Sequence, residues 1–147
     1  MKLDDHDLQI LRILVINGNL SSRKIAKEVG VSPSTVTSRV KRLRKEGVII
    51  GNSARLNYEK LGYGLTVVTR VIMYKDKITE TGSAIAKIPN VCCVYYITGQ
   101  ADAIVIAKFQ NRTELNEFTK KILALRFVAK TETQVVLSTV KEDFRII

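Results

Sequence analysis

Two short helices separated by a three-residue turn constrain this chain more than any other feature of its sequence. The first helix, over "SSRKIAKEVG", has Ser21 as a candidate N-cap and ends at Gly30. The second follows Ser32, another candidate cap, and has Pro33 at its first position, where a missing backbone N–H costs nothing. A helix, a glycine-containing turn and a second helix at this spacing predict a helix-turn-helix motif.

A longer amphipathic helix precedes this pair. In "LDDHDLQILRILVING", Asp4 is placed to cap the helix, with Asp7 three positions later. Apolar residues recur at helical spacing, and Leu8 and Leu11 fall on one face. We therefore predict that residues 1–50 form a domain of three helices whose apolar faces pack together.

Positive charge is concentrated on the last of these helices. The chain carries 24 Lys and Arg against 14 Asp and Glu, and residues 32–46 hold five of the basic residues but a single acidic one. A basic chain favours anionic partners, nucleic acid among them. In a helical projection, short hydroxyl side chains lie near the start of this helix, and long cations lie further along it, opposite the apolar stripe.

This arrangement suits a recognition helix, which presents its N-terminal residues to base edges and uses cations to hold phosphates. The alternative is a merely solvated face, which would more often combine Glu with Lys one helical turn apart. Spacing, caps and charge together favour DNA contact. The predicted DNA-contacting residues are Ser32, Ser34, Thr35, Thr37, Ser38, Arg39, Lys41, Arg42 and Lys45.

The rest of the chain alternates β-rich and helical segments. The stretch "VIIGNSARLNYEKLGYG" predicts a short strand pair or an extended arm, and the segments after it follow the order βαββαβ. This order predicts a ferredoxin-like domain, in which two helices cover one face of an antiparallel sheet. Apolar residues occur on both faces of the strands, so we expect the open face to mediate dimerisation.

The predicted fold class is therefore α+β. We expect a helix-turn-helix DNA-binding domain at 1–50, an extended linker arm at 51–62 and a ferredoxin-like domain at 63–147.

The sequence argues against metal, membrane and enzymatic functions. Cys92 and Cys93 are adjacent and point to opposite faces of a strand, and His6 is the one histidine, so ligands for zinc are too few. No apolar run reaches the ~18 residues of a membrane span, and "MKLDDHDLQ" lacks the apolar core of a signal peptide. Neither a Cys–His or His–carboxylate constellation nor a phosphate-binding loop is evident. We expect a cytoplasmic, nucleoid-associated protein without a metal or other cofactor.

Over essentially its whole length the chain resembles the Lrp/AsnC (leucine-responsive/asparagine, or feast/famine) family of prokaryotic transcription regulators. The segments that carry the resemblance are "LDDHDLQILRIL", "KIAKEVGVSPSTVTSRVKRLRKEGVI", "LGYG", "ITGQAD" and "TETQVVLSTVKE". The resemblance implies an amino-acid effector, bound between dimers, and a homodimer that assembles into a tetramer or octamer. The effector-binding residues that it implies are Gly99, Gln100, Ala101, Asp102, Thr131 and Thr133.

For these residues a simpler interpretation stays open. Gly99 and Asp102 are also typical of a tight turn in which Asp bonds its own backbone. Threonine favours strands in general, so Thr131 and Thr133 need no ligand to explain them. The turn also departs from the family pattern, because Gln100-Ala101 stands where relatives often have an acidic and an aromatic residue.

Taken together, these features predict a sequence-specific transcriptional regulator whose dimer binds pseudo-palindromic promoter sites on double-stranded DNA, with recognition helices ~34 Å apart. Two other functions stay open. One is an architectural DNA-packing protein with little sequence specificity, and the other is a metabolite-binding sensor or enzyme that uses the ferredoxin-like half. A footprint on a promoter region separates the regulator from the packing protein.

Overall fold

Three helices form the first unit of the computed structural model, which describes residues 2–147. They are α1 (Asp5–Ile16), α2 (Ser22–Val29) and α3 (Pro33–Lys45). Each helix begins at its predicted cap, because the side chains of Asp4, Ser21 and Ser32 accept hydrogen bonds from first-turn backbone N–H groups. Gly30 ends α2 at a left-handed φ of 78°, which glycine adopts without steric penalty.

The apolar faces of the three helices meet in a small core. Ile10 from α1, Ile25 and Ala26 from α2, and Val36 from α3 are buried together. Full burial of an aliphatic side chain contributes about 1.5–3 kcal/mol. This packing, rather than helix propensity, accounts for the stability of α2, which is only 8 residues long. The predicted helix-turn-helix arrangement is confirmed.

An antiparallel sheet of four strands forms the second unit, with strand order β2-β3-β1-β4. The strands are β1 (Leu65–Met73), β2 (Val91–Tyr96), β3 (Ala103–Phe109) and β4 (Val128–Val135). Helix α4 (Ile78–Ala86), entered through a 3₁₀ turn, links β1 to β2, and α5 (Arg112–Leu123) links β3 to β4. The predicted α+β class and the βαββαβ order are therefore confirmed.

The two faces of the sheet differ in how they are covered. On one face, Val67, Val71 and Val105 are fully buried against Ile85 of α4 and Phe118 of α5. On the other face, no helix of the described chain covers the apolar side chains. These side chains, which we call the open face, are Val68, Ile72, Tyr95, Ile104 and Ile106.

The segment at 48–64 contains no strand. Of the two predicted alternatives for this segment, the strand pair is therefore wrong, and an arm with a tight turn at 57–63 is what the structure has. Backbone packing divides the chain between Arg55 and Leu56, and it places Lys141–Ile147 with the first unit. The predicted domain at 63–147 included this tail, for which the sequence offered no local signal.

Three further observations concern membrane-spanning helices, metal ligands and the two cysteines. Within residues 2–147, no helix is long and apolar enough to cross a membrane, and no cluster of His, Cys, Asp and Glu is arranged to hold a metal ion. Cys92 and Cys93 are not joined by a disulfide.

Candidate functional site

The first turn of α3 carries a cluster of hydroxyl groups. Oγ of Ser32 accepts a hydrogen bond from the backbone N–H of Thr35 at 3.1 Å, and it lies 2.8 Å from the hydroxyl oxygens of both Ser34 and Thr35. Ser32 and Ser34 are exposed, whereas Thr35 is half-buried. The cluster orders short polar groups at a helix N-terminus, where the helix dipole also favours an anion.

Most of the predicted DNA-contacting residues line one of two hollows along α3. A concavity on one side is lined by Ser34, Thr35, Ser38, Arg39 and Arg42. A second hollow, on the other side, includes Thr37 and Lys41 together with Arg44, which the prediction omitted. Lys45 is exposed in the last turn. The structure thus places these residues on one helix. One face carries, at the spacing of helical turns, Ser34, Ser38, Lys41 and Lys45. Arg39 and Arg42 flank this face on one side, and Thr37 and Arg44 flank it on the other.

Three cations of α3 have no acidic partner. Lys41, Arg44 and Lys45 are exposed and pair with no carboxylate among residues 2–147. Thr37, beside them, is exposed, but its hydroxyl already has partners: it lies 3.0 Å from the carbonyl oxygen of Pro33 and 3.1 Å from Oγ of Ser22. Lys41, Arg44 and Lys45 are therefore the cations of α3 that remain accessible to an anionic partner.

Arg39 and Arg42, by contrast, are bound to carboxylates at the start of α1. Nη1 of Arg39 lies 2.7 Å from Oδ2 of Asp4 and 2.8 Å from Oδ1 of Asp7. Nη2 of Arg42 lies 2.5 Å from Oδ2 of Asp7. Asp4 and Asp7 also form a reciprocal capping box, in which each side chain accepts from the other's backbone N–H. We call these four residues the α1–α3 charge cluster.

Both carboxylates of the charge cluster are held in the ionised form. Burial by itself would raise the pKa of Asp7, but hydrogen bonds from the Asp4 backbone and from the two guanidiniums outweigh it, so that pKa is lowered. The pKa of Asp4 is lowered mainly by its hydrogen bond from Arg39. The sequence identified Asp4 and Asp7 only as capping residues, since no local pattern relates them to arginines 32 to 35 positions away.

The predicted effector turn lies between β2 and β3. Gly99 has φ of 111°, in the region that favours glycine, and Ala101 is buried. Asp102 is anchored to β1 at two points: its Oδ2 accepts from the backbone N–H of Met73 at 2.7 Å, and its own N–H donates to the carbonyl of Val71 at 3.0 Å. Asp102 therefore orients the turn.

Three successive backbone donors of this turn are unused. The N–H groups of Gly99, Gln100 and Ala101 donate to no acceptor in the described chain. Successive N–H groups in a turn form a concavity that suits an anion such as a carboxylate.

Thr131 and Thr133 lie at the same end of the sheet but on β4. Thr133 is opposite Thr69, and their hydroxyl oxygens are 3.0 Å apart, whereas Thr131 is opposite Val71. Because β1 lies between β3 and β4, these threonines are two strand spacings, about 10 Å in total, from β3, the strand that follows the turn. The Thr133 hydroxyl is already paired, and only that of Thr131 has no hydrogen-bond partner within residues 2–147.

Two family models match the chain, and together they cover nearly all of it. Residues 3–50 match the winged helix-turn-helix DNA-binding model, and residues 66–146 match the Lrp/AsnC ligand binding domain. The first match lies within the first unit of the structure, and the second match covers most of the second unit and continues into the tail that packs with the first unit.

Similar proteins extend over the full chain. An uncharacterized HTH-type transcriptional regulator of Pyrococcus furiosus is 46% identical over 146 residues, which cover 99% of each chain. HTH-type transcriptional regulator FL11 of the same organism is 36% identical, over 95% of this chain and 93% of its own. A transcriptional regulator of Neisseria meningitidis, solved in complex with L-Met, superposes with a TM-score of 0.91 at 27% identity, over 99% of this chain and 97% of its own.

Proposed function

This chain belongs to the Lrp/AsnC family of DNA-binding transcriptional regulators, and we propose that it recognises specific double-stranded DNA sites in response to an amino-acid effector. The relatives and the fold are those of transcriptional regulators and not of enzymes. The observation that carries the DNA-recognition proposal is the exposed face of α3. Ser34 and Ser38 lie on this face beside Lys41 and Lys45, two cations without an acidic partner within residues 2–147. Arg39 and Arg42, which are held by carboxylates of α1, flank it.

On this proposal the exposed cations and the hydroxyl groups of α3 have different tasks. Lys41, Arg44 and Lys45 contact phosphates, which supplies affinity for any DNA. Ser34 and Ser38, short hydroxyl side chains on the exposed side, reach base edges in the major groove, which supplies sequence preference.

The experiment that tests the DNA proposal compares two alanine variants of the full chain. Lys41→Ala weakens binding to every duplex and lowers the slope of log K against log salt by about one unit, as expected for one phosphate contact. Ser38→Ala changes preference at one base position and leaves the slope unchanged. Lys121→Ala on α5, exposed and distant in sequence, is the charge-matched control. If Lys41→Ala binds as that control does, α3 is not the DNA-contacting helix.

The same titrations separate a regulator from a packing protein. A regulator binds a duplex selected from a random pool at least about a thousandfold more tightly than the pool itself. A packing protein binds both with similar affinity and similar salt slopes.

For the effector, we propose that the turn at 99–102 binds the carboxylate of an amino acid. Support comes from the unused N–H groups of Gly99, Gln100 and Ala101, and from the L-Met bound to the similar regulator of Neisseria meningitidis. Thr131, whose hydroxyl has no partner within residues 2–147, is a second contact in an assembly in which another subunit completes the site. L-Met is accordingly the first ligand to test.

A thermal-shift series over the twenty amino acids tests this proposal, because a ligand that binds only the native state raises its melting temperature. Gly99→Ala forces an alanine into a φ of 111° and is expected to abolish the response. Gly64→Ala is the matched control, since Gly64 is exposed, has no neighbour within 4 Å and has no left-handed φ. A series in which no amino acid at millimolar concentration changes stability, assembly or DNA affinity would rule the proposal out.

We further propose that the open face of the sheet joins two copies of the chain, and that dimers assemble further into tetramers or octamers. The support is its apolar character: Ile72 and Tyr95 are 37% and 46% exposed in the single chain. Ile106→Glu, in the centre of this face, is expected to give monomers in sedimentation at tens of micromolar. Leu123→Glu, on the solvent side of α5 and 54% exposed, is the control and leaves the dimer intact. If both variants sediment as the parent does, the dimer contact lies elsewhere on the chain.

A further inference from the structure

The α1–α3 charge cluster is a neutral group of four charges, in which two arginines of the basic helix α3 meet two carboxylates at the start of α1. Asp7 is fully buried, and both of its carboxylate oxygens are occupied by guanidinium groups. Burying a charge is costly unless it is paired, so Asp7 requires Arg39 and Arg42 in these positions. A capping box alone does not require them, because its two hydrogen bonds join only Asp4 and Asp7.

The carboxylates use only part of each guanidinium. An arginine has five N–H donors, and here only Nη1 of Arg39 and Nη2 of Arg42 meet an acceptor within residues 2–147. The other donors, which include Nε of both side chains, have no acceptor in the described part of the chain. Both side chains line the same concavity as Ser34 and Ser38. Two partly used guanidiniums thus stand in fixed orientation beside the hydroxyls of α3.

Pairing also changes what these arginines do to DNA affinity. An unpaired arginine on this surface would neutralise a phosphate on any sequence and so strengthen non-specific binding. A guanidinium already paired with a carboxylate gains less from a phosphate, but it retains donors for a bidentate contact to a guanine edge, which depends on orientation.

We propose that Asp7 is a positioning residue for DNA recognition, which holds Arg39 and Arg42 in one geometry for base contact and suppresses their non-specific binding to phosphates. This inference rests on the proposed function of α3. It assigns specificity to a residue that lies on a different helix from the recognition helix and touches no DNA itself.

The test uses the full chain with two probes, a random pool of duplexes and the duplex that the parent chain selects from that pool. Asp7→Asn keeps the shape of the side chain and an acceptor for the Asp4 N–H, but it removes the charge that holds Arg42. We expect non-specific affinity to rise, the salt slope for the pool to steepen by about one unit, and the specificity ratio to fall at least about fivefold. A purely structural role of Asp7 predicts the opposite sign, because a loosened helix lowers affinity for both probes without steepening the slope.

Asp5→Asn is the matched control. It makes the same change in net charge in the same helical turn, but Asp5 is exposed and contacts neither arginine. Asp4→Asn is the second variant, to be used if Asp7→Asn does not fold. Asparagine caps helices as well as aspartate does, and this change removes one of the two carboxylates that hold Arg39. The same changes in affinity and specificity are expected for Asp4→Asn, in smaller degree.

The outcomes distinguish this inference from the proposal on which it rests. A parent chain that selects no duplex from the pool refutes the proposed sequence-specific function, and the inference falls with it. The positioning role alone is refuted by a second outcome. In that outcome the parent selects a duplex, but a folded Asp7→Asn or Asp4→Asn variant has the same salt slope and the same specificity ratio as Asp5→Asn.

Discussion

Replacing Asp102 with alanine removes the acceptor from a buried backbone amide. The N–H of Met73 donates to Oδ2 of Asp102 at 2.7 Å, and Met73 is only 3% exposed, so water does not easily replace the lost partner. A buried donor left unsatisfied costs about 1–3 kcal/mol. Because Asp102 is half-buried rather than fully buried, we take about 2 kcal/mol as the expected loss of stability at this end of the sheet.

Hydrogen exchange at the Met73 amide measures this loss directly. The chain contains two units, so its global unfolding need not be two-state, and a local probe is preferable. A loss of about 2 kcal/mol corresponds to an increase of about thirtyfold in the exchange rate of that amide. Asp102→Asn keeps an acceptor oxygen and is expected to raise the rate by less than about fivefold. Asp76→Ala, an exposed acid in the 3₁₀ turn after β1, is the control and leaves the rate unchanged.

The same variants separate two roles for Asp102 in effector binding. If its carboxylate only orients the turn, as its bond to Met73 indicates, then Asp102→Asn responds to amino acids within a few fold of the parent and Asp102→Ala does not respond. Equal loss of response in both variants would show that the carboxylate contacts the ligand ammonium instead. Unchanged exchange of the Met73 amide in Asp102→Ala would refute the structural reasoning itself.

Three further predictions concern packing and pH. Thr133→Val leaves the buried hydroxyl of Thr69 without its partner and is expected to lower the free energy of unfolding, measured in urea, by about 1 kcal/mol. Valine at both positions is expected to be nearly neutral, because no buried polar group is then left without a partner. Gly82→Ala puts a Cβ 2.8 Å from ring carbons of Tyr96, so it is expected to lower the melting temperature, and Tyr96→Ala in the same chain is expected to restore part of the loss. The stability that ionised Asp7 contributes is present above its unfolded pKa of 3.8, and it is lost as the pH falls through its lowered native pKa. The difference in melting temperature between the parent and Asp7→Asn is therefore expected to shrink below about pH 4.

The features that the sequence predicts correctly are those set by neighbours in the chain. The caps at Asp4, Ser21 and Ser32 act within four residues, and each occurs where the pattern places it. The alternation in "AIVIAKF" gives β3 its buried alanines and valine on one face, because successive side chains of a strand point to opposite faces. Local chemistry of this kind also predicts the left-handed Gly30.

The features that the sequence misses depend on pairs that are distant in the chain. The contacts of Arg39 and Arg42 with α1 require the orientation in which three helices pack, which no single helical pattern contains. The same holds for Thr69, whose hydroxyl is buried only because β4 pairs with β1 in this register. The arm differs for another reason: "VIIGN" has strand-forming residues, but it finds no partner strand within the described chain, so propensity alone does not produce a ladder.

If α3 contacts DNA as proposed, counting the charges along it overstates its attraction for DNA and understates its selectivity. Five cations face one acid in sequence, but two of the five are neutralised by carboxylates from α1. Lys41, Arg44 and Lys45 are left to bind phosphates, which predicts a salt slope of about three per subunit from this helix rather than five. In the role proposed above, the two paired arginines contribute less to non-specific affinity, and their fixed orientation suits a base contact. Fold and charge cluster are thus coupled: the caps that begin α1 also determine how α3 presents its arginines.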